Sequence, residues 1–240
     1  MSGHSHWSTI KHRKETQDKK RGAIFSSMAR ILSVAAREGG ADPETNFELR
    51  SAIEKARSVN MPNKNIERAI ERGAGLGVDR EEWFKVNYEA FGPGQTALLI
   101  EGITNNKNRT LEEVRGILNK YGGKMSELGS VRWLFAQVGQ ITIAGSAEEK
   151  SDLEMKAIEA GADDLEWDED DLIVYVKPDE LEKNKKELTD KGINIKEYSL
   201  AWKPQKNIDL DDTNQEKLTR LLEALSEHDD IQEVYLNAEL

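Results

Sequence analysis

Six basic side chains, Lys11, Arg13, Lys14, Lys19, Lys20 and Arg21, fall within eleven positions near the start of the chain, with Trp7 and His12 beside or among them. Lysine and arginine gain affinity for a polyanion by releasing the counterions condensed on it, largely without regard to sequence. Tryptophan and histidine offer flat faces on which an unpaired base can stack, a contact of about 1–3 kcal/mol where it forms. Trp7, Lys11, His12, Arg13, Lys14, Lys19, Lys20 and Arg21 are therefore expected to contact nucleic acid. The competing reading is a solvated leader. Against it stands the charge of this arm, which opposes that of the rest of the chain.

Two further clusters fit the same chemistry. In "NKNIERAIERG", Lys64, Arg68 and Arg72 recur every four residues and share one helix face. Like charges at this spacing repel by a few tenths of a kcal/mol per pair, a cost that a phosphate would relieve. Glu67 and Glu71 relieve part of it as well, so an ordinary charged face fits the same letters. In "NNKNRT", Asn105 to Thr110, a strand gives way to a helix. Backbone N–H groups at such a start favour anions, and Lys107 and Arg109 would strengthen the site. The bland alternative is a polar loop whose Asn and Thr cap the helix.

Other chemistry finds less footing. The chain has no cysteine, which removes disulfides, zinc–thiolate sites and cysteine nucleophiles. His4 would complete a square-planar Cu(II) or Ni(II) site if the initiator Met is removed, a property of any Ser-Gly-His terminus and expected to be adventitious. "GAGLG" (Gly73, Gly75, Gly77) follows a helix rather than a strand and lacks a Lys-Ser/Thr pair, so it reads as a helix end and linker. The acidic run from Asp168 to Asp171 reads as a hairpin turn, and His228 as a cation at a helix end. No catalytic set, metal site or cofactor is expected.

These residues need elements to hold them. Of 240 residues, 37% are apolar and 33% charged, which favours several small, well-solvated domains. The formal net charge of -11 is unevenly spread: residues 1–80 carry 15 Lys and Arg against 10 Asp and Glu, and residues 81–240 carry 19 against 35. No apolar run approaches the length of a membrane span, and no apolar leader is present, so a cytoplasmic protein without membrane contact is expected.

Apolar residues at three- and four-residue spacing predict three helices: one from about Arg21 to Gly39-Gly40, one through Leu49, Ile53 and Ala56, and one starting at "MPNKN". From residue 81 the period shortens to two. "WFKVNYEAF" and "TALLIEGI" read as a hairpin, "TLEEVRGILNKYGG" as a helix with a Thr110–Glu113 capping box, and "SVRWLF" as a strand. The pattern then restarts as β-α-β-β-α-β, the order of a ferredoxin-like split βαβ unit. A final helix and strand, "TNQEKLTRLLEALSEHD" and "IQEVYLN", are left to complete the unit begun at residue 81.

The stretches "GHSHW", "KHRK", "QDKKRGAIF", "TNFELRSAIEKA", "NMPNKNIERAIERG", "YEAFGPG", "NNKNRT", "GSVRWLF" and "IQEVYLN" together resemble the YebC family. Its bacterial members are described as transcriptional regulators, and its mitochondrial relatives are translational activators. His6 stands where the family usually has lysine. The resemblance implies an α+β protein: an N-terminal three-helix domain followed by two ferredoxin-like αβ domains, the last inserted into the second. The expected boundaries are a basic arm over 1–20, a helical domain over 21–78, an αβ domain over 79–135 plus 205–240, and an inserted αβ domain over 136–204.

The function expected on this basis is a non-enzymatic nucleic-acid-binding regulator, DNA-binding at the level of transcription. Its alternative is a ribosome-associated, RNA-binding translation factor, for which an aromatic in a basic arm and the lack of a legible recognition helix both speak. A protein-interaction scaffold using the acidic αβ domains is the third reading. Oligomeric state is not legible in the sequence.

Overall fold

A computed structural model of the chain describes Trp7 and residues 21–76, 82–145 and 149–239. Beyond Trp7, the described residues open with three helices: α1 (Arg21–Gly39), α2 (Phe47–Ser58) and α3 (Asn63–Gly73). Their apolar faces, with Leu32, Leu49, Ile53, Ala56 and Ile66 among them, bury a small core. Asn46 sets the α1–α2 corner. Its side-chain oxygen accepts the Leu49 N–H as an N-cap, while its amide donates to the carbonyls of Ala35 and Gly40. Helices α1 and α3 cross closely because Gly73 has no side chain: a Cβ there would lie 2.1 Å from the Ser33 carbonyl oxygen. The buried Ser33 hydroxyl donates to the Ala69 carbonyl across the same contact.

Two four-stranded sheets follow. The first contains β1 (Phe84–Phe91), β2 (Ala97–Thr104), β3 (Lys124–Met125) and β8 (Ile231–Leu236) in the order β3-β1-β2-β8, with antiparallel pairs throughout. Helices α4 (Lys107–Lys120) and α7 (Asp212–Ser226) belong to it. Leu218, Leu221, Leu222 and Leu225 of α7 recur at the helix period and share a core with Val114 and Leu118 of α4 and with Leu98, Ile100, Val234 and Leu236 of the strands. The second sheet contains β4 (Phe135–Ala144), β5 (Asp164–Asp168), β6 (Asp171–Val176) and β7 (Ile195–Pro204) in the order β5-β6-β4-β7. With α5 (Lys150–Glu159) and α6 (Leu181–Asp190) in their places along the chain, this is the split βαβ order. By contacts the chain divides into two compact units, Phe135–Lys203 forming one and the described segments on either side forming the other.

Two local expectations are corrected. Thr110 does not cap a helix, because α4 starts earlier, at Lys107, where the Asn106 side chain accepts the Arg109 N–H. Thr110 lies buried one turn inside. The strand expected over "SVRWLF" is a turn followed by a short 3-10 segment, Arg132–Leu134, and the strand begins at Phe135. The physical reason is Glu89. Its carboxylate accepts the backbone N–H groups of Gly129, Val131 and Arg132, so none of these is offered to a strand ladder. The acidic run Asp168–Asp171 does form a hairpin turn, with Glu169 at φ 52 between β5 and β6.

Candidate nucleic-acid interface

The basic arm divides at once into what is described and what is not. Lys11, His12, Arg13, Lys14, Lys19 and Lys20 lie outside the described residues. Arg21 begins α1, exposed, its guanidinium 5.6 Å from the centre of the Phe25 ring. Trp7 overturns its expected role as a stacking face. Its side chain is fully buried within the core of the first sheet, and its indole N–H donates to Glu233 of β8 at 3.1 Å. An indole so enclosed has no face left for a base.

The α3 stripe fares better. Lys64 and Arg68 are exposed, Arg72 is half-buried, and the last two open onto a groove between α1 and α3 of about 520 Å³. Its wall also includes side chains that the sequence did not single out, among them Phe25 and Arg30 from α1, Asn65 from α3, and Trp83 just before β1. The Arg30 guanidinium stacks on the Trp83 ring at 4.5 Å and donates to the Asp229 carbonyl at 3.1 Å. That places a cation against an aromatic face at the wall of a groove that Arg68 and Arg72 also line. The signal for Arg30 and Trp83 was weak in the sequence. One is a single arginine in a helix of mixed faces, and the other a strand-leading aromatic whose neighbours are set only by the fold.

The "NNKNRT" start resolves toward an internal anion. Arg109 reaches the Asp230 carboxylate at 2.7 Å, and the Thr110 hydroxyl donates to the same oxygen at 2.7 Å. Arg30 approaches the other carboxylate oxygen at 3.5 Å. Asp230 is only 4% exposed. Burial would push its carboxyl up, but hydrogen bonds from Thr110, Arg109 and Thr104, with the charge of Arg109, bring it below its ordinary value. The same burial and the Asp230 charge push the Tyr88 phenol up. Gly102 makes room for this turn: a Cβ there would lie 2.5 Å from the Asp230 carbonyl, which accepts the Ile103 N–H at 2.7 Å beside a β-bulge. The head of α4 thus holds an anion of the protein's own, the Asp230 carboxylate, while the Arg109 side chain stays 46% exposed. Lys107 lies 4.7 Å over the Phe84 ring, which also receives Arg37 at 4.9 Å. His228 accepts the Asp230 N–H through Nδ1, leaving Nε2–H to donate to Glu113 at 3.0 Å.

Among the described residues no cluster of three His, Asp or Glu side chains is arranged to hold a metal ion. No described helix is long and apolar enough to cross a membrane.

Comparison with known proteins settles the lineage of this arrangement. Residues 5–76 match the family model described as the TACO1/YebC protein N-terminal domain, and residues 83–238 match the one described as the TACO1/YebC second and third domain. The chain belongs to the TACO1/YebC family. A "Probable transcriptional regulatory protein" of Halothermothrix orenii is 43% identical, with 100% of this chain and 96% of that protein covered. One of the same description from Desulfitobacterium hafniense is 44% identical over the same shares. Among solved structures, a conserved hypothetical protein from Aquifex aeolicus superimposes with a TM-score of 0.86 at 40% identity, covering 92% of this chain and 91% of that one. The groove residues on α1 and α3 therefore fall in the match to the family's N-terminal domain, whereas Trp83 and the Asp230 turn fall in the match to its second and third.

Proposed function

We propose that this TACO1/YebC-family protein is a non-catalytic, cytoplasmic regulator of gene expression that binds nucleic acid through its helical domain. The observation that carries the reading is the groove between α1 and α3. There Arg68 and Arg72 open beside the stacked Arg30–Trp83 pair, at the end of the chain that also carries Lys11, Arg13, Lys14, Lys19 and Lys20. Cations gain affinity from phosphates, and an aromatic wall gains from bases, so both halves of a nucleotide have a complement. The names of the relatives support a role in the regulation of transcription, and on this reading the target is DNA.

A second reading has its own observation. The α3 cations share a groove with an aromatic instead of projecting from a free-standing recognition helix. That geometry suits unpaired or irregular RNA better than the major groove of a duplex. On this reading the protein is a ribosome-associated translation factor, with its acidic αβ domains turned to protein or solvent. Competition between duplex DNA, single-stranded RNA and ribosomes across a salt series separates the two. Preference for a DNA sequence supports transcription. Sequence-blind DNA binding with retained ribosome sedimentation supports translation.

A further inference from the structure

Between β3 and β4 the chain does something costly. Glu89 of β1 is 4% exposed, yet its carboxylate accepts three backbone N–H groups from one loop: Gly129 at 2.7 Å, Val131 at 2.6 Å and Arg132 at 3.0 Å. A buried carboxylate is tolerated when its hydrogen bonds are complete, and here they are spent on fixing a loop. The loop then presents to solvent what a fold normally hides. Trp133 is 68% exposed and Leu128 79%. The Trp133 indole N–H donates to the Ser130 carbonyl at 2.9 Å, and Gln205 donates to the Trp133 carbonyl at 3.0 Å, so the ring is held in place from its edge and its backbone. With its only polar atom engaged inside the loop, Trp133 offers partners a π-face alone.

We propose that Trp133 is a preorganised stacking platform for an unpaired nucleobase, with the exposed Arg132 beside it directed to the adjoining phosphate. The role that the sequence assigned to Trp7 passes to Trp133: one indole is enclosed in the core and the other is fixed outside it. A paired base has no free face, so the ligand class is single-stranded nucleic acid, RNA or the unpaired part of a structured RNA. This inference rests on the nucleic-acid reading above and adds a contact on the sheet domain, away from the α1–α3 groove.

The test is binding of a labelled, mixed-sequence single-stranded RNA to the full chain, with a duplex of the same sequence as a second ligand. Trp133→Ala is expected to weaken single-strand binding about tenfold, the effect of losing one stacked base, while leaving the salt slope unchanged. Trp133→Phe keeps most of the affinity, and duplex binding stays within twofold. Because the ring is on the surface, thermal unfolding of Trp133→Ala checks that the fold is intact. Glu89→Gln, which releases the loop but keeps the ring, is expected to lose part of the same affinity.

Single-strand binding by Trp133→Ala within twofold of the parent overturns the inference, as does an equal loss on duplex. Unchanged RNA binding with lost capture of a purified protein partner overturns it too, and assigns the loop to protein. The groove reading fails separately: Arg68→Ala with Arg72→Ala would then bind like the parent while Trp133→Ala still loses affinity.

Discussion

Arg109, in the first turn of α4, holds the buried carboxylate of Asp230 at 2.7 Å, from a position 121 residues away in the chain. Arg30 of the helical domain reaches the same carboxylate, and Thr110 shares the oxygen that Arg109 uses. One aspartate thus gathers α1, α4 and the turn into β8. Removing it leaves two cations facing each other around a vacated acceptor. Asp230→Ala is expected to cost about 1–2 kcal/mol at neutral pH, because the buried Thr110 hydroxyl loses an acceptor while the exposed Arg109 returns to water. Chemical denaturation of the two proteins checks it.

The sign of the pH effect at Asp230 follows from its lowered pKa. Its folded value lies below the ordinary 3.8, so the stability it contributes is fully present above that value and is lost as pH falls through the folded one. Asp230→Asn should therefore flatten the acid limb of the stability profile while lowering the neutral plateau.

Asp168 behaves in the opposite sense. Burial, with the charges of Glu169, Glu166 and Asp171, pushes it up to about 6. Its ionisation opposes folding, with a penalty that is absent below the unfolded value, grows as pH rises toward 6 and is complete above it. Asp168→Asn is expected to stabilise the protein by about 1–2 kcal/mol near pH 8, after discounting for its partial exposure, and to bring no gain near pH 3. Thermal unfolding across that range reads both.

Trp7→Ala is expected to destabilise the protein by about 3–5 kcal/mol, because removing a fully buried indole leaves a large cavity and takes away its hydrogen bond to Glu233. Trp7→Phe should recover most of it. A stacking residue on a solvated arm would leave the unfolding midpoint where it was.

Gly73→Ala tests the helix crossing. The new methyl would meet the Ser33 carbonyl at 2.1 Å, forcing α1 and α3 apart at a cost of about 2–3 kcal/mol. The groove lies between these same helices, so nucleic-acid affinity should fall with stability. An alanine at Gly116, where nothing lies within 4 Å, is the matched control.

Much of this architecture was legible in the letters, and the reasons differ by element. The spacing of Leu218, Leu221, Leu222 and Leu225 writes a helix face directly, and the short apolar run in "ALLIEGIT" writes a buried strand. What escaped depends on contacts distant in sequence. Glu89 reads as a polar position on a strand, and only the fold brings Gly129, Val131 and Arg132 to it and turns an expected strand into a loop. Trp7 sits among charged residues, and local composition does not reveal that Glu233 waits for its N–H. Arg109 carried the right chemistry, attraction to an anion, but the anion lies at position 230 of the same chain. Lys64 and Arg68 were legible because helix periodicity is local, whereas Arg30 and Trp83 meet only after β1 docks beside α1.

The account stands or falls on the groove. The most direct measurement is the affinity of the full chain for single-stranded RNA and for duplex DNA over a salt series, compared with an Arg68→Ala, Arg72→Ala variant of unchanged thermal stability. The account predicts weaker binding, with a log–log salt slope shallower by about one to two units for the two lost phosphate contacts. Equal affinity and an equal slope for parent and variant on both nucleic acids would contradict it.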